Sequence, residues 1–529
     1  MAGKKADSLY AGVLEAAKRH PGQVALYYLG RPVTYKALLR NIHRCAGGVR
    51  KLGLQAGERV AVILPNCPQG VYLLYGTELA GGICCMIHPR SAPGEVAEYL
   101  RKVQPSVAVV LDRLYPRFQE VLQGSARKIV TTGILDDILP VGKKKVRNTI
   151  SWGRFLVENH EEFPIPTGEE TAVILFSGGT TGVPKGVALT GKNFGALSRQ
   201  MAQGNPGFRP GDKMLCALPM FHGFGLGVCV HTILQNGGQC VLLPRFTPKG
   251  YAKAVLRHRC AYLAGVPALL QTLPKQSVLR GKNLGFLKGV FCGGDHLPSQ
   301  QKAQLNRFLR EHGAKVAVRE GYGATETVAA CCLMPEGAEE DAVGLPLPGV
   351  RVKIVKPGTD RELPPGEVGE ILVSGPTVMR GYWNEPEVTA QTLKRHTDGQ
   401  IWCCTGDLGQ MDEDGFVYFA GRARRMIVTC GYNVYPARLE EILDSHPWVR
   451  ASCVVGLPDE KRGQAVTAFV ELVDKNMENP ETIQKIMEHC REYVAKFAMP
   501  SKIIFCSELP KTPLGKTDYR ALEAGEYPP

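Results

Sequence analysis

Residues 176–186 form the sequence Phe176-Ser177-Gly178-Gly179-Thr180-Thr181-Gly182-Val183-Pro184-Lys185-Gly186. An apolar run at residues 172–175 comes just before it and predicts a buried strand. Glycines let backbone N–H groups turn inward, and hydroxyls and a lysine supply further donors for anionic oxygens. In the common P-loop the lysine directly precedes Ser or Thr at the start of a helix, whereas here Pro184 precedes Lys185 and a glycine follows it. We therefore expect a loop that closes over phosphates rather than a helix N-terminus, although an ordinary Gly-rich turn has the same residue types.

The length and composition indicate a multidomain globular enzyme. The chain has 529 residues, and single hydrophobic cores stop growing near roughly 250–300 residues. Hydrophobic residues make up 44% and charged residues 22%, which is ordinary for a globular protein. No apolar run reaches the ~20 residues of a membrane span, and residues 1–7 lack the apolar core of a signal peptide. We expect a cytoplasmic protein without an integral membrane segment.

The net charge and the arrangement of the cysteines further limit which functional classes of protein the sequence fits. The formal net charge of +14 suits anionic ligands such as nucleotides. Because the basic residues are dispersed and no nucleic-acid-binding signature occurs, binding to nucleic acid is not expected. The 17 cysteines fall singly or as adjacent pairs, mostly inside apolar runs, which favours reduced thiols in the core over disulfides or zinc ligands.

Continuously apolar strands alternate with amphipathic helices in the part of the chain up to residue 319. Strands are predicted at 60–64, 107–111, 172–175, 213–218, 240–243, 288–292 and 315–319. This alternation indicates an α/β fold with doubly wound, mostly parallel sheets. Segments beginning near residues 176, 219 and 320 follow predicted strands, and ligands of parallel sheets bind beyond the carboxyl ends of the strands.

The pattern changes in the C-terminal part. From about residue 349, short strands broken by Gly and Pro predict a small β subdomain. A helix from about 436, strands at 451–455, 465–473 and 502–505, and a helix around 480–497 predict a compact α+β domain. We place the domain boundary so that residues 1–423 form a large N-terminal domain and residues 424–529 a small C-terminal one.

Further candidate motifs are spread along the chain. The first is Tyr322-Gly323-Ala324-Thr325-Glu326. Its carboxylate could bind Mg²⁺ that bridges phosphates, its tyrosine could stack on a purine, and its threonine could contact a phosphate. The alternative is that these residues form only a polar helix cap. Asp407 could accept hydrogen bonds from a ribose diol or could form an Asx turn. Arg422 suits phosphate or ribose. Lys516 stands in a loop with two prolines and a glycine, and would otherwise be a solvated lysine in a tail.

In this order the motifs resemble those of the adenylate-forming superfamily over essentially the whole chain. That superfamily contains acyl-CoA synthetases, adenylation domains of peptide synthetases and beetle luciferases, and the chain is most similar to the acyl-CoA ligases. The resemblance implies that a carboxylate and ATP give acyl-AMP and pyrophosphate, after which a thiol gives a thioester and AMP. It implies ATP, Mg²⁺ and coenzyme A as cofactors. It also implies a mobile C-terminal domain that rotates about Arg424, where relatives usually carry Asp or Lys.

The resemblance also implies a role for each matching residue. The β- and γ-phosphates would be held by Ser177, Thr180, Thr181 and Lys185, in a loop with Gly178, Gly179 and Gly182. Adenine would be framed by Gly293, Gly294, Glu320, Gly321 and Tyr322, next to Gly323. The α-phosphate would meet Thr325, Mg²⁺ would bind Glu326, and the ribose would bind Asp407 and Arg422. The pantetheine tunnel would be faced by Gly431 and Tyr432, and the carboxylate and α-phosphate would be bridged by Lys516.

The acid is harder to predict. Amino-acid-activating relatives typically place an aspartate near the turn at residue 219, but the residues here are Phe221, His222 and Gly223. His222 is equally expected to line or gate the acyl pocket and to be a packed histidine. Small residues at 328–332, with Gly225 and Gly227, predict a roomy apolar pocket for a fatty or other hydrophobic acid.

Other functions share these motifs. A stand-alone enzyme that loads the phosphopantetheine arm of a carrier protein is the main alternative. A luciferase-like oxidoreductase and a non-catalytic nucleotide-binding protein are the others. The stretch from Gly431 to Pro436 resembles the CoA-ligase version of this segment. Asp295 and the residues 517–519 after Lys516 depart from the usual pattern of the superfamily.

Overall fold

The structure is a computed structural model. It describes residues 7–137, 146–158, 162–177, 184–204, 208–295, 297–338, 340–422, 425, 427–429, 432–434, 436–459, 463–494, 498–512 and 516–526. Only the backbone is described at residues 204, 422, 428, 432, 433, 438, 463 and 492. The chain divides into two compact units: the first comprises residues 1–296, 304–352 and 373–404, and the second 297–303, 353–372 and 405–529. The domain boundary at residues 423/424 stays a prediction.

The first large sheet of the first unit has nine strands among the described residues. They are β1 (Val24–Tyr28), β2 (Arg31–Thr34), β10 (Lys213–Cys216), β11 (Gln239–Leu242), β12 (Tyr262–Gly265), β13 (Gly289–Gly293), β14 (Val318–Tyr322), β15 (Cys332–Leu333) and β16 (Leu345–Pro346). Their order is β16-β15-β14-β13-β12-β10-β11-β1-β2. The six strands from β14 to β1 are parallel, and antiparallel strands close both edges.

The second large sheet has eight strands in the described part of this unit. They are β3 (Arg59–Ile63), β4 (Ile83–Met86), β5 (Val107–Leu111), β6 (Lys128–Thr132), β7 (Ile150–Ser151), β8 (Thr171–Ser177), β9 (Lys185–Thr190) and β19 (Gly381–Tyr382). Their order is β19-β9-β8-β4-β3-β5-β6-β7, and the strands from β8 to β7 are parallel. The central strands are apolar and buried throughout, as expected for sheets covered on both faces.

Helices connect and cover these sheets. They are α1 (Leu9–Arg19), α2 (Tyr35–Lys51), α3 (Pro68–Leu79), α4 (Pro93–Val103), α5 (Tyr115–Ser125), α6 (Trp152–Phe155), α7 (Gly191–Gly204), α8 (Thr232–Gln235), α9 (Pro248–His258), α10 (Pro267–Leu270), α11 (Ser299–Glu311) and α12 (Pro386–Thr392). A π-helix spans Phe224–His231, and 3₁₀ turns span Ser277–Leu279 and Thr325–Thr327. Several helices begin at a hydroxyl cap; the side chains of Ser8, Thr34 and Thr247 each accept a backbone N–H of the first turn.

A third, five-stranded sheet follows among the described residues. Its strands are β17 (Arg351–Val355), β18 (Gly369–Ser374), β20 (Leu393–Arg395), β21 (Ile401–Met411) and β22 (Val417–Arg422). Their order is β17-β18-β21-β20, and β22 pairs with β21. These short strands, separated by Gly- and Pro-containing turns, form the predicted β subdomain.

The C-terminal residues form an α+β arrangement. Its strands and helices are β23 (Ile427–Thr429), β24 (Tyr432–Val434), α13 (Pro436–Asp444), β25 (Val449–Asp459), β26 (Gly463–Leu472), α14 (Pro480–Tyr493), β27 (Lys502–Phe505) and α15 (Tyr519–Glu523), with a 3₁₀ turn at Lys475–Met477. The strand order is β24-β23-β26-β25, and β27 pairs with β26. The mixed α/β class with parallel sheets is thereby confirmed, and so is a C-terminal region of α+β character.

Arg425 joins three elements of this C-terminal region. Its guanidinium pairs with the carboxylate of Glu440 on α13 and donates to the carbonyl oxygen of Val454 at 3.1 Å. It also lies 5.0 Å from the ring centroid of Tyr519, at the start of α15. Burial lowers the pKa of Arg425, but Glu440, Cys453 and Tyr519 together outweigh this effect and raise the pKa above its ordinary value. Arg425 therefore binds α13, β25 and α15 together.

The cysteines lie where the apolar runs predicted them. Every cysteine in the described ranges is a free thiol, and all except Cys404 are buried. Burial raises the pKa of Cys490 and of Cys506 to about 11, which keeps these thiols protonated near neutral pH. No helix in the described residues is long and apolar enough to cross a membrane.

A buried carboxyl group fixes the start of α1. Glu78 on α3 accepts the backbone N–H groups of Leu9 and Tyr10 at 3.1 and 2.8 Å. Burial raises the pKa of Glu78 to about 7 in spite of these two donors. The folded chain therefore holds a proton at Glu78 more tightly than the unfolded chain does. The stability that this proton contributes is complete below about pH 4.5 and is lost as the pH rises through 7.

We predict that Glu78→Gln makes stability less dependent on pH. The amide stays neutral, so it does not impose the cost of a buried charge above pH 7. Because one pKa unit corresponds to 1.36 kcal/mol, the wild type should lose on the order of 2 kcal/mol relative to the variant between pH 5 and pH 8. Urea unfolding at both pH values measures this difference. Parallel pH dependence of the two proteins would contradict the assignment.

Candidate active site

The predicted ligand-binding segments follow neighbouring parallel strands. In the first large sheet, β14, β13, β12 and β10 are adjacent and parallel. Their carboxyl ends therefore lie along one edge, and the chain continues there after Cys216, Gly265, Gly293 and Tyr322. The Gly-rich stretch follows β8 of the second large sheet. The segment predicted to begin at Pro219 follows β10. The other two begin inside strands and continue past their ends, because Phe176 and Ser177 belong to β8 and residues 320–322 belong to β14.

The Gly-rich stretch connects two antiparallel strands. Ser177 ends β8 and lies opposite Lys185, the first residue of β9. Lys185 therefore begins a strand and not a helix, as its spacing predicted. Gly178, Gly179, Thr180, Thr181 and Gly182 lie outside the described residues.

The segment after β14 forms a tight polar turn. The backbone N–H of Ala324 donates to the hydroxyl of Thr327 at 3.1 Å, so Thr327 caps the 3₁₀ turn that contains Thr325 and Glu326. The carboxylate of Glu326 instead accepts a hydrogen bond from the hydroxyl of Tyr382, at 2.8 Å between Oη and Oε1. The capping alternative thus applies to Thr327, and Glu326 has a different partner.

Tyr382 contacts a second predicted site residue. The Nζ of Lys185 lies 4.8 Å from the centroid of its ring, a cation–π distance. Tyr382 therefore contacts both the predicted phosphate lysine and the predicted metal carboxylate. Sequence reasoning missed it because Glu326 lies 56 residues away and no local pattern marks the pair. An aromatic residue after Arg380-Gly381 was the only available signal.

The glycines of the predicted adenine segment are required by close strand packing. Gly293 pairs with Gly321 across β13 and β14, and a Cβ on Gly293 would lie 2.8 Å from the carbonyl oxygen of Gly321. Gly294 has φ +80°, which favours glycine. Glu320 and Tyr322 are both buried. The structure thus brings these residues together, and backbone contact already accounts for the glycines without an adenine.

A strained turn follows Glu326. Val328 has φ +65° and ψ −58°, and the N–H of Ala329 donates to the carbonyl oxygen of Thr327 at 2.8 Å. This is a γ-turn with positive φ, which is rare and strained for a β-branched residue. Such strain persists only where the surrounding packing imposes it.

Glycines allow this close packing, because other atoms of the protein occupy the places where their Cβ atoms would lie. A Cβ on Gly223 would lie 1.5 Å from the carbonyl oxygen of Val328, and a Cβ on Gly323 would lie 1.7 Å from that of Ala329. A Cβ on Gly225 would lie 2.1 Å from the carbonyl oxygen of Pro219. One on Gly227 would meet side-chain atoms of Leu197 and Val328 at 2.9 and 3.0 Å. The expectation that Gly225 and Gly227 leave space in a pocket wall is therefore wrong, because other atoms of the protein occupy that space.

His222 packs against an aromatic neighbour. Its ring centroid lies 4.8 Å from that of Phe221, which in turn lies 4.2 Å from the ring of His88. The backbone N–H of His222 donates to the carbonyl oxygen of Pro219 at 3.1 Å. Burial and the nearby Arg90 lower the pKa of His88. His222 is half-buried, so both interpretations of this residue stay open.

The second unit contains the predicted ribose residues. Asp407 on β21 lies opposite Arg422 on β22 in the antiparallel register. The backbone N–H of Asp407 donates to the hydroxyl of Thr405 at 3.1 Å, and this hydroxyl donates to the carbonyl oxygen of Ile371 at 2.6 Å. The backbone register therefore places Asp407 and Arg422 opposite each other in adjacent strands.

Lys516 lies in a loop closed by hydrogen bonds. Its carbonyl oxygen accepts the N–H of Thr512 at 2.7 Å, and its own N–H donates to the Thr512 hydroxyl at 3.3 Å. Lys511 Nζ donates to the Thr517 hydroxyl at 2.9 Å. The exposed Lys516 side chain is thus not part of a loose tail. Gly431 and Arg424 lie outside the described residues, and Tyr432 is described only by its backbone in β24.

Comparison with known proteins identifies the family. The model of the AMP-binding enzyme family matches residues 13–383, and that of the AMP-binding enzyme C-terminal domain matches residues 438–516. A long-chain-fatty-acid–CoA ligase of Bacillus subtilis (strain 168) is 33% identical over 97% of this chain and 94% of its own. The probable 4-coumarate–CoA ligase 1 of Dictyostelium discoideum is 30% identical over 90% of this chain and 87% of its own.

A solved structure agrees with this. The ATP-bound crystal structure of MatB from Rhodopseudomonas palustris is 27% identical, has a TM-score of 0.84 and is matched over 98% of both chains. The resemblance inferred from the motifs is confirmed. The chain belongs to the AMP-binding enzyme family within the adenylate-forming superfamily, and it is an AMP-forming acid–CoA ligase.

Proposed function

We propose that this enzyme activates a fatty or other hydrophobic carboxylic acid as its acyl-AMP and transfers the acyl group to the thiol of CoA. The observation that carries the proposal is the contact of Tyr382 with both Lys185, the first residue of β9, and Glu326, which follows β14. A cation and a carboxylate that could hold Mg²⁺ are the two groups that a bound triphosphate would need. The turn at Phe221–Gly223 contains no acidic residue to meet an α-ammonium group. The long-chain-fatty-acid–CoA ligase of Bacillus subtilis supports the substrate class.

The proposed mechanism is chiefly electrostatic. The carboxylate of the acid attacks the α-phosphorus, and pyrophosphate leaves; the CoA thiolate then attacks the acyl carbonyl, and AMP leaves. An anion must approach an anion in the first step, so cations have to offset repulsion where charge concentrates. Ser177 and Lys185 would bind the β- and γ-phosphates, Thr325 the α-phosphate, and Asp407 and Arg422 the ribose. Lys516 would bridge the attacking carboxylate and the α-phosphate.

Mg²⁺ fits the residues that are present. Mg²⁺ is usually held by one or two carboxylates together with substrate phosphates and waters. Glu326 supplies one carboxylate, and its hydrogen bond from Tyr382 is the kind of support that metal ligands have. No group of three or more His, Cys, Asp or Glu residues that could form an all-protein metal site occurs among the described residues. When bound, the ion would neutralise charge on the phosphates.

The acceptor and the location need separate tests. A carrier-protein arm uses the same thiol chemistry as CoA and would differ only in the surface that receives the partner. The chain from Gly431 to Pro436 favours CoA through its resemblance to CoA ligases. A cytoplasmic location stays a prediction.

We predict that ATP–pyrophosphate exchange depends on hydrophobic acids and that CoA stimulates AMP release. A panel of alkanoates, arylalkanoates and amino acids, assayed with and without CoA, measures both. Activity with an amino acid but with no alkanoate or arylalkanoate would overturn the proposed substrate class. Exchange without any effect of CoA would indicate a carrier-protein acceptor.

We predict that Lys516→Ala lowers exchange while ATP binding is nearly unchanged. Loss of one group that stabilises transition-state charge typically costs about 10²–10³ in rate. Lys502→Ala, at the exposed start of β27, is a control that should keep wild-type activity. Calorimetry measures ATP affinity in each variant. Wild-type acyl-AMP formation in Lys516→Ala would eliminate the assigned role.

We predict that Gly223→Ala impairs acid-dependent exchange, because its Cβ would force the backbone at Val328 away, two residues from Glu326. A misplacement of about 1 Å can cost up to ~10²-fold in rate. Gly94→Ala on α4, where a Cβ meets nothing within 4 Å, is the matched control. Gly227→Ala should have an intermediate effect, because flexible side chains can yield to its Cβ. Equal activity of all three variants would show that this packing does not position the site.

A further inference from the structure

We propose that Tyr382 is a positioning residue that sets the relative placement of the metal-binding carboxylate and the phosphate-binding lysine. The inference rests on the proposed roles of Glu326 and Lys185. It adds a residue that none of the predicted motifs contains and assigns a separate task to its hydroxyl and to its ring.

The hydroxyl orients Glu326. Its hydrogen bond to Oε1 has an Oη–Oε1 distance of 2.8 Å, so it engages one carboxylate oxygen, and the other carboxylate oxygen remains a possible metal ligand. The hydroxyl is the donor in this hydrogen bond, because an ionised carboxylate can only accept. Groups that hydrogen-bond to metal ligands in this way fix the orientation of the ligand.

The ring orients Lys185. An ammonium group 4.8 Å from the ring centroid is attracted by the negative face of the π system. A long, flexible side chain thereby gains one preferred direction. The metal at Glu326 and the ammonium at Lys185 would bring the positive charge that the triphosphate needs, and one side chain relates their positions.

The backbone around Tyr382 is held by the same two segments. Tyr382 pairs with Val187 of β9, two residues after Lys185. The N–H of Met379 donates to the carbonyl oxygen of Glu326 at 2.8 Å. On the other side, the N–H of Tyr382 donates to the hydroxyl of Thr389 on α12 at 2.8 Å. Tyr382 therefore cannot shift without moving either β9 or the turn that contains Glu326.

Two substitutions separate the two tasks. Tyr382→Phe removes the hydroxyl and keeps the ring, whereas Tyr382→Leu removes both. Tyr72→Phe is the matched control. Tyr72 lies on α3, and its hydroxyl donates to Asp137 Oδ2 at the same distance of 2.8 Å. Circular dichroism and thermal melting of the full-length chain verify that each variant folds.

The readout is metal binding measured without turnover. Mn²⁺ is titrated into the protein with a non-hydrolysable ATP analogue and followed by electron paramagnetic resonance. Loss of a group that supports a metal ligand typically weakens metal affinity by about 10- to 100-fold, and we expect a loss in this range for Tyr382→Phe. Affinity for the analogue in the absence of divalent ions should stay unchanged in Tyr382→Phe and fall in Tyr382→Leu. Tyr72→Phe should match the wild type in both titrations.

The outcomes distinguish this inference from the proposed function. Wild-type Mn²⁺ affinity in Tyr382→Phe would overturn the inference, as would an equal loss in Tyr72→Phe. If Tyr382→Leu and the wild type bind the ATP analogue equally tightly in the absence of divalent ions, the proposed role of the ring is overturned. Absence of Mn²⁺–nucleotide binding and of exchange in the wild type would instead overturn the proposed function, and the inference with it.

Discussion

The backbone turn after β14 folds closely on itself at Gly323 and contacts the backbone of a second segment at Gly223, and the rest of the site depends on these contacts. The carbonyl oxygens of Val328 and Ala329 occupy the space that side chains at Gly223 and Gly323 would need. The turn is consequently held in a γ-conformation with positive φ at Val328. Glu326 lies two residues before Val328, so its position depends on Gly223, which comes much earlier in the chain, as well as on its neighbours.

The parallel sheets supply the framework for this contact. The strands β10, β13 and β14 end at one edge, and the segments after them contain Gly223, Gly294 and Gly323. The π-helix Phe224–His231 begins directly after Gly223, and irregular helices of this kind are frequent at functional sites. The strain is therefore concentrated where a ligand would bind, while the buried apolar strands behind it are regular. The arrangement is typical of a rigid scaffold that carries a precisely shaped site.

The charges of the site follow from the proposed chemistry. Adenylation brings a carboxylate to a triphosphate, so the enzyme needs cations whose positions are set before the reaction begins. Within the first unit, Tyr382 contacts both Lys185, which we propose as one such cation, and the carboxylate of Glu326. In the second unit, Lys516 is held by the Thr512 hydrogen bonds, and Arg425 binds α13, β25 and α15 together. In each unit, contacts within the protein already restrain a long cationic side chain or the loop that carries it. Less conformational entropy is therefore lost when a ligand binds.

The sequence by itself determined the fold class, the enzyme family and most of the secondary structure. Those features depend on local patterns: apolar runs predict buried strands, and β27 was predicted at the residues where it occurs, Lys502–Phe505. Strand ends were less well predicted; β14 spans Val318–Tyr322 rather than 315–319, because its register is set by pairing with β13. Only the tertiary structure decided why these positions require glycine and which residue contacts both Lys185 and Glu326. Gly223 and Gly227 accommodate atoms of distant residues, and Tyr382 acts across 56 residues, so neither contact leaves a periodic signal in the chain.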